Sequence, residues 1–166
     1  MPRETHIRRP HLAALLCAGI FSTAALAACT TESDQPLLDA AQEAVRERDT
    51  DSVILTLTAV YGDRWEEYAA LCPEAPRDLV AQALGIEEGD VPELQQDENA
   101  LLRIKGSEVK AEVHPTETLL LCSGSNAPAY RLSEETVSVR DNRDLSSPNS
   151  DWWLTATGTD PLASPQ

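Results

Sequence analysis

Leu102-Arg103-Ile104-Lys105-Gly106-Ser107-Glu108-Val109-Lys110-Ala111-Glu112-Val113 is the stretch on which the fold reading turns. Leu102 and Ile104 alternate with Arg103 and Lys105, Gly106-Ser107 supplies a tight turn, and Val109, Ala111 and Val113 alternate with Glu108, Lys110 and Glu112. A period of two on both sides of a two-residue turn is the pattern of a β-hairpin with one face toward a core. By the same parity His114 falls on the polar side with Glu108, Lys110 and Glu112, and Pro115 ends the strand, so His114 is expected at the surface.

Upstream of the hairpin the pattern is helical. Pro36 suits a first helical position, and Leu37, Leu38, Ala41, Ala44 and Val45 form an apolar stripe, which predicts a helix to about Arg48. Residues 49–52 (Asp-Thr-Asp-Ser) break it and can cap the next element. Residues 53–61 fit two templates: Leu55-Thr56-Leu57-Thr58-Ala59 alternates like a strand, whereas Val53, Leu57, Val60 and Tyr61 share a helical face. The flanking caps, with Gly62 as a C-terminal one, favour the helix. A strand over 65–72 ends at Pro73, and Pro76 opens a short helix with Leu79, Val80, Ala83 and Leu84 on one side. Gly85 followed by Ile86 resembles a helix-ending motif, and 87–99 is an acidic loop.

Downstream, 119–122 reads as a buried strand, and Tyr130 with Leu132, then Val137 with Val139, predict one or two more. Residues 141–151 are rich in Ser, Pro, Asn and Asp, so Trp152-Trp153-Leu154 is either a docked strand or part of a loose tail. Helices early and strands late predict an α+β domain: an antiparallel sheet of about four to six strands with two or three helices on one face. It occupies 36–140, followed by a C-terminal segment, 141–166.

Leu26-Ala27-Ala28-Cys29 comes after a basic stretch (Arg3, Arg8, Arg9) and a short apolar one, residues 12–21. It resembles the lipobox of bacterial lipoprotein signal peptides. The resemblance implies a signal peptide over 1–28, removal of that peptide, and fatty acylation of Cys29 as the new N-terminus. Residues 29–35 would then be the lipidated Cys and a tether, whose polar stretch 30–35 extends at most about 20 Å. The implied location is the outer side of the cell membrane, with the membrane itself the partner of the lipid. Residues 12–28 are at the lower limit for a bilayer span and are interrupted by Ser22 and Thr23, which disfavours a transmembrane anchor.

Removing 1–28 takes away Arg3, Arg8, Arg9 and Glu4, leaving 10 basic and 27 acidic side chains, a net −17. Such a charge is repelled by phosphate backbones and anionic head groups, so nucleic acid is excluded as a partner and the acyl chains must do the anchoring. Arg outnumbers Lys 11 to 2, a bias of GC-rich genomes such as those of actinobacteria.

Cys17 leaves with the signal peptide and Cys29 takes the lipid, so Cys72 and Cys122 remain as a pair in an oxidising setting and are expected to form a disulfide. The alternatives are a metal site, short of partner ligands, and a Cys–His nucleophile served by His114. Neither Glu87, Glu88, Asp90 and Glu93 nor Asp141, Asp144, Asn149 and Asp151 has the spacing of a calcium loop, so neither a metal nor any cofactor is expected.

Ser107-Glu108-Val109-Lys110 matches the Ser-x-x-Lys of penicillin-recognising enzymes, and Ser123-Gly124-Ser125-Asn126 and Thr157-Gly158-Thr159 loosely echo their later motifs. The context fails, because that Ser must open a helix and here it lies in a hairpin turn. Trp152 and Trp153 are the candidate contacts for an envelope protein or a glycan, with burial over the sheet as the competing reading. The reading is a cell-envelope lipoprotein with a small non-catalytic binding or accessory domain. The alternative is a minor envelope hydrolase using His114 and nearby carboxylates.

Overall fold

A computed structural model describes residues 33–122, 127–143, 150–156 and 159–162, which fall in one compact unit. The expected signal peptide 1–28, Cys29 and the start of the tether lie outside the described residues, as do 123–126, 157, 158, Asp144 and Asn149. Helix α1 spans Pro36–Arg48, with Pro36 in its first turn. Asp49 ends it in the left-handed region (φ 50°), donating its N–H to Val45 O. Strand β1 (Ser52–Thr56) runs directly into the single turn α2 (Leu57–Tyr61), so the two readings of 53–61 each hold for half of the segment. The switch comes at Leu57, whose N–H donates to Glu135 O at 2.7 Å, and Gly62 (φ 83°) closes the turn onto Thr58 O.

Strand β2 (Glu67–Leu71) and helix α3 (Arg77–Leu84) come next. Gly85 at φ 70° and the Ile86 N–H to Ala81 O bond stop α3 as the sequence motif implies. The hairpin is β3 (Glu98–Lys105) and β4 (Glu108–Pro115), paired Lys105 to Glu108 through to Glu98 with Pro115. Gly106 supplies the positive φ (55°) that the two-residue turn requires. Strands β5 (Leu119–Leu120), β6 (Ala129–Leu132), β7 (Thr136–Asp141), β8 (Trp152–Ala156) and β9 (Thr159–Pro161) complete the fold.

The α+β class holds, with the strands divided between two sheets, β1-β7-β8-β5 and β4-β3-β2-β6-β9, antiparallel except for the short parallel pair β5–β8. The helices do not share one face. Leu37, Leu38 and Ala41 of α1 join a core built from inner residues of both sheets, including Val53, Val139, Trp152, Leu154, Tyr68, Ala70 and Leu101. Val80, Ala81 and Leu84 of α3 cover the opposite face of the five-stranded sheet, over Ala69, Leu71, Ala100, Leu102 and Ile104. Strands β2 and β3 are therefore buried on both faces, which explains runs such as Leu101-Leu102. Of the two readings of 152–154 the docked strand is the one observed, since β8 lies between β7 and β5 as an inner strand.

Candidate functional site

The hairpin carries its chemistry on the side opposite to the one its polarity pattern suggests. Val113 is 37% exposed, whereas Glu112 is 2% and His114 0% exposed. The register explains the inversion. Glu112 pairs with Leu101 and His114 with Asn99, residues of β3 that face the core between the sheets, while on the other face the cluster under α3 takes in Val109 and not the exposed Ala111 and Val113. A surface His114 is thus corrected to a core histidine.

Glu112 is the node of this buried group. Its carboxylate accepts from Tyr61 Oη at 2.5 Å and from the Leu37 N–H at 3.2 Å, and Oε1 lies 3.0 Å from His114 Nε2, whose ring N–H is not aligned for a hydrogen bond. The Leu37 amide is one of the unpaired donors at the start of α1, so a β4 carboxylate supplies a cap that the local sequence lacks. Burial and the neighbouring Glu112 charge both push the Tyr61 phenol well above its ordinary range. Arg103, 9% exposed, stacks 4.3 Å from the Tyr61 ring centroid, and its charge offsets part of that rise. Asn99 ties the bottom of the group together, donating Nδ2–H to His114 O at 2.8 Å and Leu119 O at 3.0 Å and accepting from Leu121 N–H at 2.7 Å.

This arrangement joins α1, α2, β3, β4 and β5 through polar contacts, and its closure leaves His114 without a face for substrate. The sequence signal that could have located it is the adjacent apolar pair Leu101-Leu102, which marks β3 as buried on both faces and so draws its partner's polar residues inward.

Cys72 and Cys122 are bonded, with Cα atoms 5.6 Å apart and a sequence separation of 50, as the count of cysteines left in the domain implies. Cys72 comes directly after β2 in the five-stranded sheet and Cys122 shortly after β5 in the other, so the bond staples the sheets together. Reducing it is expected to lower stability by about 2–4 kcal/mol, chiefly by freeing the unfolded chain. Urea midpoints of the oxidised and reduced protein check this, and identical midpoints would refute it.

Trp152 is 1% exposed and belongs to the core, which corrects its reading as a partner contact. Trp153 is partly buried on the other face of β8, opposite Arg140 of β7, and keeps the contact role open to test. Ser107 sits in the hairpin turn and Lys110 in β4, so no helix presents a Ser-x-x-Lys pair. Among the described residues, no three His, Cys, Asp or Glu side chains gather as a metal-ligand set.

A cavity of about 500 Å³ opens where the last turn of α1 (Val45, Arg46), the link 49–51 and the end of β7 (Arg140, Asp141) meet. Two of its charged pairs are closed, Arg140 with Asp51 at 3.5 Å and Arg143 with Asp141 at 2.5 Å. The second pair holds the Asp141 carboxyl below the usual range, chiefly through the Arg143 hydrogen bond. Comparison with protein-family models, with curated proteins and with solved structures finds no match to this chain.

Proposed function

We propose that this protein is exported and held by lipid on Cys29 at the outer side of the cell membrane, where its α+β domain serves as a non-catalytic binding or accessory module. The observation that carries the reading is the Cys72–Cys122 disulfide, because such bonds persist in oxidising compartments outside the cytosol. The lipobox resemblance of Leu26-Ala27-Ala28-Cys29 supports the anchor, and no described helix is long and apolar enough to cross a membrane. The polar stretch 30–35 would keep the domain within about 20 Å of the bilayer.

Burial of His114 weighs against the hydrolase alternative, since a general base must come within hydrogen-bond reach of the proton it takes. Trp153 is the side chain through which an envelope protein or a glycan is proposed to be recognised. Cys29→Ser is expected to release the protein from membranes or leave its precursor unprocessed, as fractionation and intact mass would show. Normal processing with wild-type membrane retention would remove lipid as the anchor.

A further inference from the structure

The groove at the C-terminal end of α1 carries two charges that the fold does not use. Among the described residues, neither Arg46 nor Asp49 has an ion-pair partner within 4.0 Å, whereas Asp51 is met by Arg140 and Asp141 by Arg143. Arg46 and Asp49 are three residues apart, a spacing that normally lets opposite charges pair along a helix. Asp49 instead adopts a left-handed backbone (φ 50°), so the chain leaves the helical path at that residue. The result is an open cation and an open anion on the wall of a cavity of about 500 Å³, a volume within the range of small-molecule sites.

We propose that this groove binds the zwitterionic head of an α-amino acid or of a ligand bearing one, its ammonium on Asp49 and its carboxylate on Arg46. A single guanidinium matches a carboxylate through paired N–H donors. The ammonium half is also favoured by the negative end of the α1 dipole. Because Arg46 and Asp49 line the same cavity close to one another in the chain, the fitting ligand carries its own two charges close together, as an α-amino acid does. Val45 is the apolar side chain of the lining, against which a short ligand side chain would rest. Without residues 1–28 the chain carries a net charge of −17 and would repel a simple anion, whereas a net-neutral zwitterion approaches without that penalty.

The inference rests on reading the domain as a binding module. The test titrates the full lipidated protein in detergent with L-alanine, L-alaninamide and N-acetyl-L-alanine, monitoring Val45 and Thr50 amide resonances and the heat of binding. Alaninamide and N-acetylalanine are expected to bind about tenfold more weakly than alanine, since each lacks one of the two charges. Arg46→Gln should abolish the preference for alanine over alaninamide, and Asp49→Asn the preference over N-acetylalanine. Both residues are exposed, so these variants are expected to fold. Equal response to all three probes, or none at tens of millimolar, overturns the proposal. Capture of an envelope partner by a protein that ignores all three would overturn this groove while leaving the binding-module reading intact.

Discussion

Glu112→Ala is expected to destabilise the protein by about 3–5 kcal/mol, the cost of leaving two buried donors without an acceptor and opening a cavity beside them. The loss is larger than that of one hydrogen bond because three partners depend on the same carboxylate. The Leu37 N–H loses its acceptor at the start of α1, the Tyr61 hydroxyl is stranded in the core, and His114 faces a cavity. Glu112→Gln retains the volume and one acceptor oxygen and should cost less than the alanine change. Urea denaturation with hydrogen exchange on α1 reads both consequences, the global loss and the faster opening of the helix next to the tether. A loss below about 1 kcal/mol for Glu112→Ala would mean that the node is replaceable by water.

Trp152→Ala and Trp153→Ala should part company although the residues are adjacent. Trp152 buries its side chain in the core between the sheets, while its backbone N–H donates to Thr118 O at 3.0 Å and its backbone carbonyl accepts from Ser150 Oγ at 2.7 Å, bonds that the alanine variant keeps. Truncating it is expected to cost about 3–5 kcal/mol and to loosen the inner strand β8. Trp153 points to the other face, so its alanine variant should remain folded with a smaller loss. If the domain recognises an envelope partner through that side, recovery of the partner should fall about thirtyfold in affinity, the size of an aromatic anchor. Thermal melts and quantitative partner recovery on both variants separate the effects. A fully stable Trp152→Ala protein, or partner recovery unchanged by a folded Trp153→Ala, would contradict these roles.

Local chemistry makes most of the elements legible from the amino acids alone. Pro36 and the apolar stripe after it define α1, Gly85 with Ile86 stops α3, Gly106 turns the hairpin, and the two cysteines left in the domain form the expected bond. Each depends on residues close in the chain or on a count, and such signals survive without knowledge of the partners. The undecided segment 53–61 shows the limit of that reading. Its strand and helix halves are both adequate locally, and pairing of β1 to β7 together with the Leu57 N–H to Glu135 O bond sets the switch at Leu57.

Which side of each strand is inside lay beyond the sequence. Alternation reports that the two faces of β4 differ, but burial is decided by the elements that cover them. The core between the sheets and α1 closes over Glu112 and His114, whereas the cluster under α3 leaves Val113 out and exposed. The polar face is accordingly the buried one there, stabilised by contacts from residues 51 and 75 positions away, Tyr61 and Leu37. The division into two sheets, the inner place of β8 and the groove between α1 and β7 have the same origin. Each joins segments far apart in the chain, and only the folded arrangement brings their charges and hydrogen bonds within reach of one another.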